Sequence, residues 1–390
     1  MTLATFIQAS AHDMPQVATG SVQAIVTSPP YYGLRAYECD QGVEWPAVEY
    51  APMPGLPPLT VPAMRSPLGN EPTLEAFIAH LILCLREWRR ILRDDGVLFC
   101  NLGDSYANTG VKDSSKVGGF TGARIRAGVK GTMDSRPRAI PNGLKPKDLM
   151  LVPARFALAA QADGWFLRSD IIGVKIAPMP ESVQDRPTRS HEHIFMLTKR
   201  ARYFWDAEAV KEQGQERQYT TWEERKEQGE PMRRGDPGLS GHVNRVATLA
   251  SGPGRNMRDV IEWRPAPFSG SHFAVFPEAI PERFIRAATS ERGACPTCGA
   301  PWARVVERGF TAHNGNTASR YENGTTANRL ALMRQAAREN GGEYVNTKQT
   351  TGFAPTCTCP AHDPVPCVVL DPFSGSGTTA RAAVRLGRRG

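Results

Sequence analysis

The feature that most constrains this chain is a short apolar run that stops at two prolines. Residues 24–26 read Ala-Ile-Val, and the sequence soon continues as Ser28-Pro29-Pro30-Tyr31. The run is too short for a helix, and central strands exclude proline, so it predicts a buried strand that ends at the prolines. In an open α/β sheet, ligands bind at this carboxyl end of the strands.

The loop after this strand suits a planar heterocycle that carries an amino group. Prolines lack N–H groups, so the nearby carbonyls have few local donors and can accept from a ligand. Ser28 adds a hydroxyl, and Tyr31 adds a flat ring for stacking. On these residues alone, an ordinary Pro-rich turn is the alternative.

Strand and helix patterns alternate downstream of the first strand. Apolar residues from Phe77 to Leu92 repeat at helical spacing, and Thr73 is the expected N-cap. Further strands are predicted at 97–102, 165–174 and 192–198, and further helices at 148–163 and 281–290. This alternation favours a doubly wound, mostly parallel α/β sheet with helices on both faces. Asp104 then falls on the same sheet edge as Ser28.

The charge of the chain favours a polyanionic partner. Its 390 residues carry a formal net charge of +8, which favours a polyanion such as double-stranded DNA, although many basic proteins bind no nucleic acid. Residues 108–147 are Gly-rich and basic, so they predict either a loop that clamps DNA or a solvated insertion. The longest apolar run, 76–85, is too short to span a bilayer, and no signal sequence opens the chain, so we expect a cytoplasmic protein without a membrane partner.

Two cysteine pairs predict a structural zinc site. Cys295 and Cys298 form a Cys-x-x-Cys knuckle, and Cys357 and Cys359 supply two further thiols. Because the second pair is less regular, His362 or Cys367 is an alternative for one ligand. Reduced surface thiols are the other interpretation, and a redox pair is disfavoured because no thioredoxin-like context surrounds it.

A second ligand-binding pattern lies near residue 371. A strand ends at Asp371-Pro372-Phe373, a glycine-rich loop follows, and a helix is predicted from Ala380 to Leu386. The loop lacks the lysine of a phosphate-gripping Walker loop. Glycines let the backbone approach a ligand closely, and a carboxylate at a strand end favours a cationic group. The pattern therefore suits a ligand with an ammonium and a sulfonium.

Taken together, these motifs resemble the β group of amino-methylating DNA methyltransferases, in which the catalytic motif precedes the cofactor motif. Members of this family also include proteins with a cysteine ribbon inserted just before the cofactor motif. Additional segments that match the family are Asn101 to Tyr106, Pro178 to Ser182, Asp185 to Thr188, His191 to Phe195 and His272 to Pro277.

The resemblance implies methyl transfer from S-adenosylmethionine to the exocyclic nitrogen of a base flipped out of DNA. Ser28 and the Pro29 carbonyl would hold the amino hydrogens, with Pro30 completing the motif and Tyr31 stacking on the base. The implied cofactor-binding residues are Asp371, Pro372, Phe373, Gly375, Ser376, Gly377 and Thr378, with Phe273 and Pro277 nearby. In this family, Ser before Pro-Pro-Tyr favours N4-cytosine, and N6-adenine is the alternative.

The resemblance also implies a domain plan for a bacterial or phage-encoded enzyme, with a cognate restriction nuclease as a possible partner. The expected parts are a catalytic half at 1–205 with loops at 39–70 and 108–147, a DNA target-recognition region at 206–262, a cofactor-binding half at 263–294 and 368–390, and a zinc-ribbon insertion at 295–367.

Several positions depart from the family pattern. Relatives usually carry Gly-Asp at Ala9-Ser10, and they have Trp and Pro-Asn in the segment that here contains Gly173 and 176–177. They also continue beyond the position of Gly390 into a strand whose last residue, an acid, binds the ribose hydroxyls. These departures concern cofactor binding, and a truncated or degenerate homologue that binds DNA without methylating it is the alternative to an active enzyme.

Overall fold

The computed structural model describes residues 4–33, 42–107, 140–141, 143–178, 181, 183–212, 254–264, 277–312, 344–360 and 362–390. The chain divides into two compact units. One comprises Met1–Asp206, Arg258–Ala303 and Pro355–Gly390, and the other comprises Ala207–Met257 and Arg304–Ala354. Phe273, one of the predicted cofactor contacts, lies outside the described residues.

Twelve strands, four α-helices and one short 3-10 helix (Glu208–Val210) make up the regular structure of the described residues. In chain order the strands are β1 (Val22–Thr27), β2 (Val43–Trp45), β3 (Val48–Tyr50), β4 (Leu59–Val61), β5 (Met64–Ser66), β6 (Leu92–Leu102), β7 (Phe166–Lys175), β8 (His191–Thr198), β9 (Val260–Trp263), β10 (Trp302–Ala312), β11 (Tyr344–Pro355) and β12 (Val369–Leu370). The helices are α1 (Leu74–Ile91), α2 (Val152–Ala162), α3 (Ala279–Ala288) and α4 (Thr378–Arg385).

The main sheet has six strands in the order β12-β1-β6-β8-β7-β9. The pairings β12–β1, β1–β6 and β7–β9 are parallel, whereas β8 runs antiparallel to both of its neighbours. The prediction of a doubly wound, mostly parallel sheet is therefore confirmed, with β8 as the one reversed strand of this sheet. All six residues of β1 are buried because this strand lies between two others and is covered on both faces.

Helices cover both faces of this sheet, as the alternation predicted. Leu98 and Cys100 of β6 pack into the core that also contains apolar residues of α1 and α2. Phe99, which points to the opposite face, stacks on Phe284 of α3 with ring centroids 4.2 Å apart. Thr73 accepts a hydrogen bond from the Ala76 amide at 3.1 Å, so the predicted N-cap of α1 is present.

The segment predicted as an irregular loop at 39–70 contains two short pairings, β2 with β5 and β3 with β4. Its prolines keep each strand to three residues, which hides the alternation from sequence inspection. Trp45 and Tyr50 are buried in the core that contains α1, and this burial holds the short strands in place.

Strand β6 begins at Leu92, five residues earlier than predicted, and includes the Asp94-Asp95-Gly96 turn signal. Ion pairs neutralise both carboxylates: Asp95 pairs with Arg93 at 2.8 Å, and Asp94 pairs with Lys199 at 2.8 Å. No helix in the described part of the chain is long and apolar enough to cross a membrane.

Gly173, at a departure from the family pattern, lies directly beneath an indole ring. A Cβ placed on Gly173 would lie 1.7 Å from Cη2 of Trp263, on the neighbouring strand β9. Trp263 is 7% exposed, so the ring fills a packed space. The absence of a side chain at Gly173 is what makes room for the tryptophan of the adjacent strand.

Replacing Gly173 with alanine is expected to destabilise the fold because the new methyl group collides with the indole of Trp263. Overpacking of this kind costs about 1–3 kcal/mol, measurable as a lower free energy of unfolding in urea. Gly352→Ala is the matched control, since nothing lies within 4 Å of its added Cβ. The double variant Gly173→Ala/Trp263→Val should recover part of the loss, and unchanged stability of Gly173→Ala would contradict this packing.

Candidate active site

The two motifs that lie farthest apart in the sequence meet at the carboxyl edge of the sheet. Strand β1 leads into Ser28, and the adjacent parallel strand β12 leads into Asp371. The Thr27 hydroxyl donates a hydrogen bond to Oδ1 of Asp371 at 2.7 Å. This contact brings the two motifs, which the resemblance assigns to base and cofactor binding, to one edge of the sheet.

Asp371 is half-buried and is held by hydrogen bonds. Besides Thr27, the Phe373 amide donates to its Oδ1 at 3.1 Å. Loss of hydration raises the pKa of Asp371, although these hydrogen bonds oppose that rise. A cationic ligand would favour the ionised carboxylate, so the site is suited to bind positive charge.

The loop that follows Asp371 has an open backbone. Gly375 and Gly377 adopt positive φ angles of 49° and 74°, which residues with a Cβ rarely adopt. The Gly377 amide closes a tight turn onto the Ser374 carbonyl at 2.6 Å, and helix α4 begins at Thr378. Thr379 donates to the Val26 carbonyl at 3.2 Å, which fixes the start of α4 against β1.

An exposed aromatic residue, which the sequence analysis did not single out, lies over this loop. Phe6 is 70% exposed, and its Cζ is 3.4 Å from where a Cβ on Gly377 would be. Pro277 directly precedes Glu278, which forms ion pairs with Arg381 and Arg385 of α4 at 3.6 and 3.4 Å. These ion pairs hold the residue next to Pro277 against the helix that follows the cofactor motif, and the role of Pro277 as a cofactor contact stays a prediction.

The Ser-Pro-Pro-Tyr loop lies at the end of β1, as predicted, and its tyrosine is packed tightly. A Cβ on Gly103 would lie 2.6 Å from Cε2 of Tyr31. The tyrosine ring therefore packs against Gly103, and a larger residue would not fit at this position. The Ser28 hydroxyl donates towards the Tyr31 hydroxyl at 3.4 Å. Because its hydrogen is directed at Tyr31, Ser28 keeps its lone pairs as acceptors.

The Tyr31 hydroxyl belongs to a polar network. It donates to Oε2 of Glu192 at 3.0 Å, and Nδ2 of Asn101 donates both to the Tyr31 hydroxyl and to the same carboxylate oxygen, each at 2.9 Å. Lys175 forms an ion pair with the other carboxylate oxygen. Burial and the nearby Glu192 charge raise the pKa of Tyr31 well above its usual value, so the phenol stays protonated.

The chain is similar to Type II methyltransferases and to a DNA methyltransferase of solved structure. The solved structure of the PvuII DNA methyltransferase (cytosine-N4-specific) is 12% identical, with a TM-score of 0.40 over 74% of this chain and 71% of that one. The Type II methyltransferase M.Cfr9I of Citrobacter freundii is 35% identical over 276 residues, which are 70% of this chain and 68% of the relative. M.SmaI of Serratia marcescens is 35% identical over 269 residues, 69% of each chain.

Residues 22–295 match the family model described as DNA methylase (N6_N4_Mtase). The chain belongs to this family. The matched region begins at β1 and includes Ser28 and Tyr31 as well as the Asn101 and Glu192 contacts. The resemblance to amino-methylating DNA methyltransferases is therefore confirmed, and this DNA methyltransferase carries the Asp371 loop beyond the matched region.

The four predicted metal ligands of this DNA methyltransferase lie together. The sulfur atoms of Cys295, Cys298, Cys357 and Cys359 are all within 4.8 Å of one another. Four thiolates in a compact group suit a structural zinc ion. Burial opposes ionisation of Cys295, but hydrogen bonds from the backbone amides of Cys298 and Thr297 outweigh it and lower the pKa of Cys295 to about 6.

The two residues considered as substitute ligands point elsewhere. Cys367 is buried, and its sulfur lies 3.8 Å from the Ser290 carbonyl. His362 directs Nδ1 at the Pro360 carbonyl at 2.5 Å. In the described part of the chain, the sulfur cluster therefore consists of the two cysteine pairs and includes neither Cys367 nor His362.

The cysteine knuckle is tied to the strand that carries Asp371. The side chain of Gln23 donates to the Gly299 carbonyl at 3.2 Å and accepts from the Val368 amide at 2.6 Å. Arg93 also donates to the Cys298 carbonyl of the knuckle. A disturbance of the knuckle therefore reaches the start of β12 through one side chain.

The purified protein is expected to contain one zinc ion per chain, held by the four cysteines. Cys295→Ser should lose most of this zinc and lower the unfolding temperature, because metal binding stabilises only the folded site. Cys367→Ser is the matched control and should keep the zinc content. Elemental analysis with thermal unfolding measures both, and equal zinc in both variants would contradict the four-cysteine site.

Proposed function

We propose that this chain is a site-specific DNA methyltransferase that moves a methyl group from S-adenosylmethionine to the exocyclic amino group of a target base, with N4 of cytosine favoured. The observation that carries the proposal is the Thr27–Asp371 hydrogen bond of 2.7 Å. It joins the end of the amino-binding strand to the end of the cofactor-binding strand, so a base amino group and a bound methyl donor would share one sheet edge.

The residues around Asp371 fit S-adenosylmethionine. The Asp371 carboxylate suits the cofactor ammonium, and the positive-φ glycines Gly375 and Gly377 leave the backbone open to close approach. The exposed ring of Phe6 offers a flat apolar surface beside the same loop. When bound, the cofactor supplies an electrophilic methyl group on a sulfonium.

The base loop supplies acceptors and a stacking surface. The Ser28 oxygen and the Pro29 carbonyl would hold the two amino hydrogens and weaken conjugation of the nitrogen lone pair with the ring. Stacking on Tyr31 would offset part of the cost of unstacking the base, which is a few kcal/mol. Alignment of the nitrogen with the methyl group contributes up to about 7–11 kcal/mol in favourable cases, so no covalent nucleophile is required.

The preference for cytosine is supported by Ser28. In the family that the sequence resembles, serine before Pro-Pro-Tyr leans towards N4-cytosine and aspartate leans towards N6-adenine. DNA as the partner is supported by the family and by the net charge of +8. Relatives named Type II methyltransferases support a role in restriction-modification, with protection of DNA against a cognate nuclease.

Incubation with tritiated S-adenosylmethionine and mixed genomic DNA is expected to label the DNA, and mass spectrometry of its nucleosides should identify N4-methylcytosine. Ser28→Ala should lower the rate about 10- to 100-fold through loss of one acceptor to the reacting group, whereas Ser21→Ala should not. N6-methyladenine would overturn the cytosine assignment. DNA binding without any label would overturn the enzyme assignment and favour a homologue that only binds DNA.

Cofactor binding is expected to weaken as the pH falls through the raised pKa of Asp371. The ionised carboxylate attracts the cofactor ammonium, and protonation removes that attraction. In the ligand-free protein the sign is opposite: the folded state holds this proton more tightly than the unfolded chain, so ionisation of Asp371 lowers stability as the pH rises.

Calorimetric titration with S-adenosylmethionine across the acidic pH range measures this dependence. Asp371→Asn should bind weakly at every pH and lose the dependence. Asp163→Asn, which alters a carboxylate paired with Arg86, should keep it. A wild-type affinity that does not change with pH would contradict a charge role for Asp371.

A further inference from the structure

Glu192 lies beside the proposed base pocket and has no part in the proposed methyl transfer. It is the second residue of β8, and because β8 runs antiparallel, its first residues lie at the edge where β1 and β6 end. The Glu192 side chain is only 13% exposed. A buried carboxylate is unfavourable unless its oxygens are satisfied.

Both oxygens of this carboxylate are satisfied by groups around the pocket. Oε2 accepts from Tyr31 at 3.0 Å and from Asn101 at 2.9 Å, and Oε1 takes the ammonium of Lys175. Asn101 also donates to the Tyr31 hydroxyl, which closes a triangle of hydrogen bonds. Charge-assisted hydrogen bonds are stronger and more directional than neutral ones.

These contacts fix the ring of Tyr31 at both ends. Gly103 is in contact with the ring and limits its rotation, and the Glu192–Asn101 pair anchors the hydroxyl. A tyrosine on a loop would otherwise sample several rotamers, and a stacking surface is effective only when it is already in place. The same anchor sets the oxygen towards which Ser28 donates.

Lys175 keeps this arrangement compatible with a DNA partner. An unpaired carboxylate at the pocket would repel the phosphate backbone, and the ion pair with Lys175 removes most of that field.

Within the described residues, Oδ1 of Asn101 is buried and makes no hydrogen bond. A buried acceptor without a partner lowers the free energy of unfolding, so a purely stabilising role does not account for Asn101.

We propose that Glu192 is a positioning residue of the base pocket: it holds the Tyr31 hydroxyl, with Asn101, so that the ring stands ready to stack on the flipped base. This inference rests on the proposed function. Glu192 acts through Tyr31 and does not touch the reacting atoms.

The first test compares Glu192→Ala with Glu192→Gln in the full chain, using genomic DNA and tritiated S-adenosylmethionine. Loss of a hydrogen bond to a charged group predicts a kcat about 10- to 100-fold lower for Glu192→Ala, with an unchanged Kd for S-adenosylmethionine. Glu192→Gln keeps one carbonyl acceptor for Tyr31 and should restore most of the rate. Glu49→Ala, at an exposed strand position, should match the unaltered chain.

Two further variants separate positioning from general damage. The double variant Tyr31→Phe/Glu192→Ala should be no slower than the slower of the two single variants, because both substitutions remove the same contact. Glu192→Ala/Lys175→Met should equal Glu192→Ala, which excludes an effect of the unpaired lysine. An unaltered rate in Glu192→Ala, a glutamine variant as slow as the alanine variant, or a parallel loss of cofactor affinity would each overturn the proposal.

A second measurement does not depend on activity. In protein labelled with 3-fluorotyrosine, the Tyr31 resonance is assigned by its absence in Tyr31→Phe. We expect Glu192→Ala to shift and broaden this fluorine signal and Glu192→Gln to preserve it. If the unaltered chain transferred no methyl group, the proposed function would fail, while an unmoved Tyr31 signal in Glu192→Ala would refute the positioning role separately.

Discussion

The hydrogen bond between Thr27 and Asp371 is the contact on which the site depends, and it joins residues 344 positions apart. It lies where β1 and β12 end side by side, and the backbone pairing of Ala24 with Val369 sets its register. A shift of one residue in this pairing would turn Asp371 to the other face of the sheet. The DNA-methylase chemistry that the family implies therefore depends on strand register as much as on the residues themselves.

Local patterns predicted the parts of the fold that short-range physics determines. The apolar run before Pro29 predicted β1, because proline cannot continue a central strand. Thr73 predicted the start of α1, because its side chain can accept from a free amide of the first turn. The spacing of Cys295 and Cys298 predicted a thiol pair, although only the fold could bring Cys357 and Cys359 to it.

The remaining features depend on contacts between distant segments, and no local pattern reports them. Glu192 lies in the family-matching segment from His191 to Phe195, but its partners come from distant parts of the chain: Tyr31 from the loop after β1 and Asn101 from β6. Gly173 lies in a segment where relatives carry a tryptophan. In the structure the indole of Trp263, from the neighbouring strand, occupies the space beside this glycine. The reversed direction of β8 likewise follows from how the chain returns across the sheet, which hydrophobic spacing does not encode.

The position of β1 also bears on how the protein folds during synthesis. One neighbour of this strand is β6, some tens of residues downstream, whereas the other, β12, emerges from the ribosome only after residue 369. Contacts of such long range slow folding, because the entropy cost of closing a large loop comes before the pairing can stabilise the chain. Until β12 pairs, the backbone N–H and C=O groups along one edge of β1 lack their partners, and an exposed strand edge of this kind is a template for aggregation.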